Sequence, residues 1–225
     1  MNERDREKEA AARAAVAEVR DGMIVGLGTG STVAFAIETL AERCRSGLDV
    51  RAVATSVRTE AIARQSGIEM LDFSTFAGVD LCIDGVDEID PAFRAIKGAG
   101  GAMLREKIVA RAAVRMIAIA DSSKAVARLG RAPVPVEFLP FARGFVSGEI
   151  EKLGGGQMLR MSAGEAYVTD QGNPVFDCAF GAIDVADELA ASLSAIPGVL
   201  GHGLFIREID ALYLGKGGSV EIRER

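Results

Sequence analysis

The sequence predicts an α/β protein: a Rossmann-like parallel-sheet domain with a smaller α+β domain inserted before the C-terminal strands. Three observations carry this expectation. Strand and helix signals alternate along the first half of the chain. The strand segments there are near-continuous apolar runs, as expected of parallel strands covered on both faces. After about residue 130 the alternation gives way to prolines, a Gly154-Gly155-Gly156 run and shorter elements. The larger domain is expected to take residues 1–130 and 206–225, the smaller one residues 131–205.

Residues 4–20 read as a helix with Ala12, Ala15, Val16 and Val19 on its apolar face. MIVGLG (23–28) is a buried strand that runs directly into glycine. A helix follows over 31–45, with Val33, Ile37 and Leu40 on one face. RAVATS (51–56) is a second strand, with a helix to about Gln65, and DLCIDG (80–85) is a third. AMLREKIVARAA (102–113) is helical, with Leu104, Ile108, Arg111 and Ala112 on one side, and RMIAIAD (115–121) is again a strand. APVPVEFLP (132–140) holds Pro133, Pro135 and Pro140, so a central sheet strand is not expected throughout it. A helix over 143–153, strands near 157–161 and 174–180 and a helix over 183–195 make up the smaller unit. ALYLGKGGSVEI (211–222) reads as a hairpin around Gly215 to Ser219 whose apolar strands suit a return to the first sheet.

Composition removes several chemistries. His202 is the only histidine among 225 residues, so sites with two or three histidine ligands are excluded. A Ser-His-Asp triad would have to run through it, and no G-x-S-x-G accompanies it. Cys44, Cys82 and Cys178 form no C-x-x-C, which removes zinc ribbons and dithiol redox motifs and suits a reducing cytoplasm. With 26 basic and 32 acidic residues the net charge is −6, without the basic footprint of nucleic-acid binding. NERDREKE at the N-terminus lacks the apolar segment of a signal peptide, and no apolar run is long enough to span a membrane. Glycine is in excess, at 26 residues.

The glycines concentrate where parallel strands end, the edge at which open α/β sheets bind ligands. GLGTGST (26–32) lets the backbone approach a ligand and offers helix N–H groups to an anion. It is not a dinucleotide fingerprint: Ser31 and Val33 stand where G-x-G-x-x-G needs glycine, and no Walker A lysine follows. A small phosphate or polyol fits its hydroxyls better than NAD. DGVDEID (84–90) places Asp84 and Asp87 at a strand end, with Glu88 and Asp90 extending the cluster. That arrangement suits a divalent cation, sugar hydroxyls, or a plain solvated acidic turn. In KGAGGAMLREK (97–107), Lys97 precedes a second glycine loop and Glu106 lies early in the following helix. Glu106 faces the same way as Ala102, Ala110 and Ala113, off the Leu104/Ile108 side, although an exposed glutamate is the simpler reading of that helix taken singly. ADSSK (120–124) and TSVRTE (55–60) close two further strands, and helix caps account for both.

In order and spacing, GLGTGST, TSVRTE, DGVDEID, KGAGGAMLREKIVA, ADSSK and PVPVEFLPFA resemble ribose-5-phosphate isomerase type A. TDQGNPVFD (169–177), IPGVLGHGLF (196–205) and GKGGSVEI (215–222) continue the match over essentially the whole chain. The resemblance implies interconversion of D-ribose 5-phosphate and D-ribulose 5-phosphate, in the non-oxidative branch of the pentose phosphate pathway, without metal or organic cofactor. It also implies a cytoplasmic homodimer, or a dimer of dimers. Glu106 then corresponds to the catalytic base and Lys97 to the lysine that stabilises developing negative charge. Asp84 and Asp87 correspond to the acidic pair that contacts sugar hydroxyls and assists ring opening. Thr29, Gly30, Ser31 and Thr32 form the substrate loop, joined by Gly85 and Val86 and by Gly98, Ala99 and Gly100. Lys124 and Lys8 correspond to lysines near the phosphate. Ala99 stands where the family has glycine; alanine is strained there if the backbone needs positive φ and harmless otherwise, and His202 is read as incidental. The alternatives are another sugar-phosphate enzyme of related fold, such as a deaminase or lactonase, and a non-enzymatic phosphosugar sensor.

Overall fold

The computed structural model describes residues 2–225. Met1, on which the expected first domain opens, lies outside them. The chain divides into two compact units: residues 1–86, 105–125 and 207–225, and residues 87–104 and 126–206. The expected 1–130 segment therefore spans parts of both, because residues 87–104 group with the second unit.

In chain order the elements begin with α1 (Glu3–Val16), β1 (Ile24–Leu27), α2 (Ser31–Arg45), β2 (Arg51–Ala54), α3 (Val57–Gln65), β3 (Glu69–Met70) and β4 (Val79–Gly85). They continue with β5 (Glu88–Ile89), β6 (Ala95–Ile96), α4 (Met103–Ala112), β7 (Ala113–Asp121), β8 (Val134–Phe138), α5 (Arg143–Lys152) and β9 (Gly156–Leu159). The remainder are β10 (Met161–Ser162), β11 (Glu165–Ala166), β12 (Val175–Ala179), α6 (Ala186–Ala195), β13 (Val199–His202), β14 (Leu204–Phe205), β15 (Ala211–Lys216) and β16 (Ser219–Glu224). Among the described residues no helix is long and apolar enough to cross a membrane.

The first unit is built on a seven-stranded sheet ordered β16-β15-β7-β4-β1-β2-β3. All its pairings are parallel except β15 with β16, so the C-terminal hairpin does return to the first sheet. Strand order reverses between β1 and β4, which makes that boundary the sheet's switch point. Register there sets Leu27 beside Ile83, so that the glycine loop after β1 meets the aspartate that follows Ile83. The core is aliphatic: Val25, Leu27, Leu81, Ile83, Ile117 and Ile119 from the strands pack with Ala11, Ala15, Val33, Ile37 and Leu40 from the helices. Helix α1 is shorter than its periodicity suggests. After Val16 the amides of Glu18 and Val19 bond three residues back, and Gly22 at φ +80° completes the turn, while Val19 still packs into the core.

Glu7 of α1 joins distant parts of this unit. Its carboxylate accepts the Gly217 amide at 3.0 Å and the Ser122 amide and hydroxyl at 3.0 and 2.8 Å. These bonds, the Gly217 amide first, hold its pKa below the ordinary carboxylate value against the opposing effect of burial. A lowered folded-state pKa means that the contribution is present above the unfolded value and is lost as pH falls through the folded one. Glu7→Gln should therefore cost about 1–2 kcal/mol near neutral pH. The difference from the parent should shrink in urea titrations below about pH 4.

In the second unit, β13-β8-β12-β9 form a four-stranded antiparallel sheet. Phe138 and Phe176 stack at its centre, 4.2 Å between ring centroids, with Val146 and Ile150 of α5 and Leu193 of α6 in the same core. β8 is a central strand but spans only Val134–Phe138, so the segment 132–140 is not strand throughout, as expected: Pro133 and Pro140 fall outside it and Pro135 alone lies within. Pro135 is tolerated because its carbonyl accepts the Gly203 amide at 2.8 Å, just beyond the last β13 pairing of His202 with Val136. The proline's missing N–H lies on that same edge, so the ladder to β12 loses nothing. A second sheet, β14-β6-β5, is also antiparallel.

The β10–β11 hairpin turns through Ala163 and Gly164, both at positive φ, +50° and +87°. Asparagine tolerates that conformation better than alanine, and Ala163 is exposed. Ala163→Asn is expected to raise stability by about 0.5–1 kcal/mol, read as an upward shift in Tm.

Candidate active site

In the first unit the site is organised by Gly28 and Asp84. Asp84 is fully buried at the end of β4, and its Oδ1 accepts the amides of Gly85 (2.7 Å) and Thr29 (3.1 Å). A Cβ on residue 28 would lie 1.9 Å from the Asp84 carboxylate, so this glycine is required by space rather than by backbone conformation. Gly26 similarly makes room for Val109 of α4, at 2.7 Å from its would-be Cβ.

Thr29 is fixed by a chain of hydroxyls. Its Oγ1 donates to Ser56 at 2.9 Å, Ser56 to Thr59 at 3.0 Å and Thr59 to the Gly28 carbonyl at 2.9 Å, with Thr55 Oγ1 2.9 Å from Thr29. Ser56 does cap α3, accepting the Thr59 amide at 3.1 Å. The supporting role of Thr55, Ser56 and Thr59 was not read from the sequence; three hydroxyls clustered after a strand end were the available signal.

Gly30, at φ +127°, is the N-cap of α2 and supplies no side chain, so the amides of the first turn face outward beside Ser31 and Thr32. Lys8 of α1 donates to Ser31 Oγ at 3.1 Å, which places a cation at that helix start. The Glu7 bonds described above tie the short 3-10 turn Ser122–Lys124 to the same helix, and Lys124 is half-buried in that turn. Ser122 and Ser123 themselves are committed to Glu7 and Asp121. One end of β1 thus gathers helix N–H groups, hydroxyls and lysine, the donor set that a phosphate monoester takes.

Glu106 lies on α4 and is only 3% exposed. The exposed-glutamate reading fails, and so does the expected apolar face: Ile108 is 47% exposed, whereas Met103, Glu106, Val109 and Ala110 are buried. The helix turns a carboxylate inward and an isoleucine outward. On the next residue, burial pulls the Lys107 ammonium down to about 8, with Glu208 opposing the shift.

In the second unit, Lys97 follows β6 and is 2% exposed. Its amide donates to the Gly203 carbonyl at 2.9 Å, and its Nζ lies 5.4 Å from the centroid of the Phe205 ring. Gly98, at φ +98°, and Gly101, at φ +76°, turn the loop that follows. Ala99 is not among the described residues at positive φ, so alanine is unstrained there. Its amide donates to Asp87 Oδ2 at 2.9 Å, which ties one expected site carboxylate to the loop that carries Lys97, Gly98 and Gly100.

The rest of the acidic cluster is structural, which removes both the solvated-turn reading and the idea that all of it faces a ligand. Glu88 accepts the amides of Gly130 (2.9 Å) and Ala132 (2.7 Å). Asp90 accepts those of Ala92 and Arg94 and pairs with the Arg94 guanidinium at 2.6 Å. Val86 is buried. His202 is buried too; its Nδ1 accepts the Leu204 amide at 3.2 Å and its Nε2 lies 2.9 Å from Ser194 Oγ, a packing role. No cluster of three or more His, Cys, Asp or Glu among the described residues is arranged to hold a metal ion.

Against known proteins, residues 51–218 match the family Ribose 5-phosphate isomerase A (phosphoriboisomerase A). Ribose-5-phosphate isomerase A of Sphingopyxis alaskensis is 52% identical over 219 residues, covering 97% of this chain and 96% of the relative. A solved structure of D-ribose-5-phosphate isomerase in complex with phospho-erythronic acid superposes with a TM-score of 0.96 at 33% identity, covering 100% of both chains. Ribose 5-phosphate isomerase A from Methanocaldococcus jannaschii gives 0.93 at 35% identity, covering 97% of this chain and 98% of that one.

Proposed function

This chain belongs to the ribose 5-phosphate isomerase A family, and from that premise we propose how its residues interconvert D-ribose 5-phosphate and D-ribulose 5-phosphate. The substrate phosphate is held at the start of α2 by Ser31, Thr32, Lys8 and Lys124, with Gly30 leaving the helix amides accessible. Asp84 and Asp87 accept hydroxyl protons of the sugar and assist ring opening, with Thr29, Gly85 and Val86 alongside. Glu106 takes the proton from C2 of the open-chain aldose, and the electron pair moves onto the C1 carbonyl oxygen to give a cis-enediolate. The same carboxylate returns the proton to C1, while the C2 hydroxyl proton passes to O1. Lys97 and the amides of the Gly98-Ala99-Gly100 loop stabilise the enediolate oxygens.

The observation that carries this reading is the buried Glu106 on the helix opened by the Lys97 glycine loop. A sensor that only binds a phosphosugar needs no sequestered base, so the binding-only alternative is not favoured. The other sugar-phosphate chemistries considered lean on a histidine, and His202 is engaged in packing. Incubation with ribose 5-phosphate in D₂O, with neither metal nor nucleotide added, should yield the ketopentose with deuterium at C1 by NMR. Binding without conversion would establish the sensor instead. We place the enzyme in the cytoplasm as a homodimer; sedimentation velocity distinguishes that assembly from a tetramer or a monomer.

A further inference from the structure

The glycine loop after Lys97 has three successive carbonyls taken by two side chains. Arg160 Nη1 donates to the carbonyls of Gly98 (3.0 Å) and Ala99 (3.2 Å), and the Tyr167 hydroxyl donates to that of Gly100 (3.2 Å). Arg160 and Tyr167 flank the β10–β11 hairpin, and the Tyr167 amide donates to the Arg160 carbonyl at 2.8 Å. The pair is braced on every side. Asp177 of β12 receives Arg160 Nε and Nη2 at 2.9 and 2.5 Å, and the guanidinium lies 5.6 Å from the Tyr167 ring centroid. Beyond Tyr167, the buried Glu137 accepts Thr169 at 2.8 Å and Asn173 at 3.0 Å, closing the turn. The Arg160 side chain is 13% exposed, so this fork is partly removed from solvent screening. Gly101 is matched to it: a Cβ there would lie 2.2 Å from the Tyr167 hydroxyl.

Peptide geometry gives this clamp a consequence. In a trans peptide the C=O of one residue and the N–H of the next point in opposite directions. With the Gly98 carbonyl drawn to Arg160, the Ala99 N–H points the other way, where it meets Asp87. With the Ala99 carbonyl drawn to the same guanidinium, the Gly100 N–H is turned to that same side. A flipped 99–100 peptide would present a carbonyl oxygen there instead, which repels a developing oxyanion.

We propose that Arg160, seated on Asp177 and seconded by Tyr167, is a positioning residue for the isomerisation: it fixes the 98–100 peptides so that the Gly100 N–H serves the enediolate. This rests on the reading that the loop contacts substrate. Arg160 touches no reacting atom; it acts through the backbone. Lysine is a poor replacement, since one ammonium does not span both carbonyls and grip a carboxylate bidentately.

The test is steady-state kinetics on Arg160→Met, Arg160→Lys and Tyr167→Phe, with two inhibitors that separate the donors. Arg160→Met should lower kcat roughly 10–100-fold and move KM by no more than about threefold, the pattern of an interaction made mainly in the transition state. Inhibition by phospho-erythronic acid, whose carboxylate resembles the enediolate, should weaken with kcat, while competition by inorganic phosphate stays unchanged. Arg160→Lys should recover part of the loss, and Tyr167→Phe should cost several-fold in kcat at an unchanged Tm. A folded Arg160→Met protein with wild-type kcat overturns the proposal, and so does equal weakening of both inhibitors. Should Arg160→Met not fold, Tyr167→Phe decides: wild-type kcat there overturns the positioning role. A wild-type protein that does not convert ribose 5-phosphate would instead overturn the functional reading itself.

Discussion

Replacing Glu106 with glutamine is expected to lower kcat by roughly 10²–10⁴-fold, the range for loss of a general base. Glutamine keeps the volume and most of the hydrogen-bonding shape of the side chain, so the buried face of α4 should repack with little strain. What it lacks is basicity: an amide does not accept a proton from carbon at neutral pH. Because the proposed phosphate donors are Ser31, Thr32, Lys8 and Lys124, none of them on α4, KM should move far less than kcat. Deuterium exchange at the substrate carbon should fall in step with turnover, since in the proposed mechanism the same carboxylate removes and returns the proton. Near-normal isomerisation by Glu106→Gln would remove this residue from the base role. Glu106→Asp is a graded control. It retains a carboxylate but withdraws it by one methylene, and misplacement on the order of 1 Å already costs about 10²-fold in a positioned reaction.

The order of elements was legible because each parallel strand is an apolar run that ends in glycine or aspartate. The helix over 31–45 and the strands around Gly26 and Asp84 follow from that pattern directly. The candidate site residues stand out in the sequence as motifs, and their surroundings do not. Nothing in REK distinguishes a buried glutamate from a solvated one, because burial depends on what covers the helix rather than on its own periodicity; hence Ile108 and Glu106 exchange the faces expected of them. Asp84, Asp87, Glu88 and Asp90 look alike in sequence. What each carboxylate binds depends on backbone amides far along the chain, such as Gly130 and Ala132 for Glu88. Pro135 shows the same dependence on neighbours: Pro133 and Pro140 bound the strand as the sequence suggests, whereas Pro135 is admitted to the sheet centre because β13 ends one pairing short of it and does not need the missing donor. Arg160 and Tyr167 carried no signal, since an arginine and a tyrosine on a short, mostly exposed hairpin resemble ordinary surface residues.

Gly28→Ala should be a severely damaging single-methyl change, for reasons that Gly30 makes clear by contrast. Gly30 has φ +127°, and a Cβ there would meet nothing within 4 Å, so alanine at that position encounters backbone strain alone, about 1 kcal/mol. Gly28 does not need a left-handed backbone; its Cβ would lie 1.9 Å from Asp84 Cγ and Oδ1 and 2.5 Å from Asp84 Cβ. Asp84 cannot retreat, because β4 is paired on both sides, to β1 and β7, and the residue is fully buried. Relief requires swinging the carboxylate off the amides of Thr29 and Gly85, which strands a charge in the interior. Loss of partners for a buried charge costs about 3–5 kcal/mol. Turnover should fall with it by at least about 10²-fold, since the proposed substrate loop and the carboxylate proposed to handle the sugar's hydroxyl protons shift together. Urea unfolding gives the stability change directly. The double variant Gly28→Ala with Asp84→Gly removes the clashing atoms and should regain stability relative to Gly28→Ala without regaining activity. If Gly28→Ala unfolds at the wild-type urea midpoint, the contact between this loop and Asp84 does not govern the site.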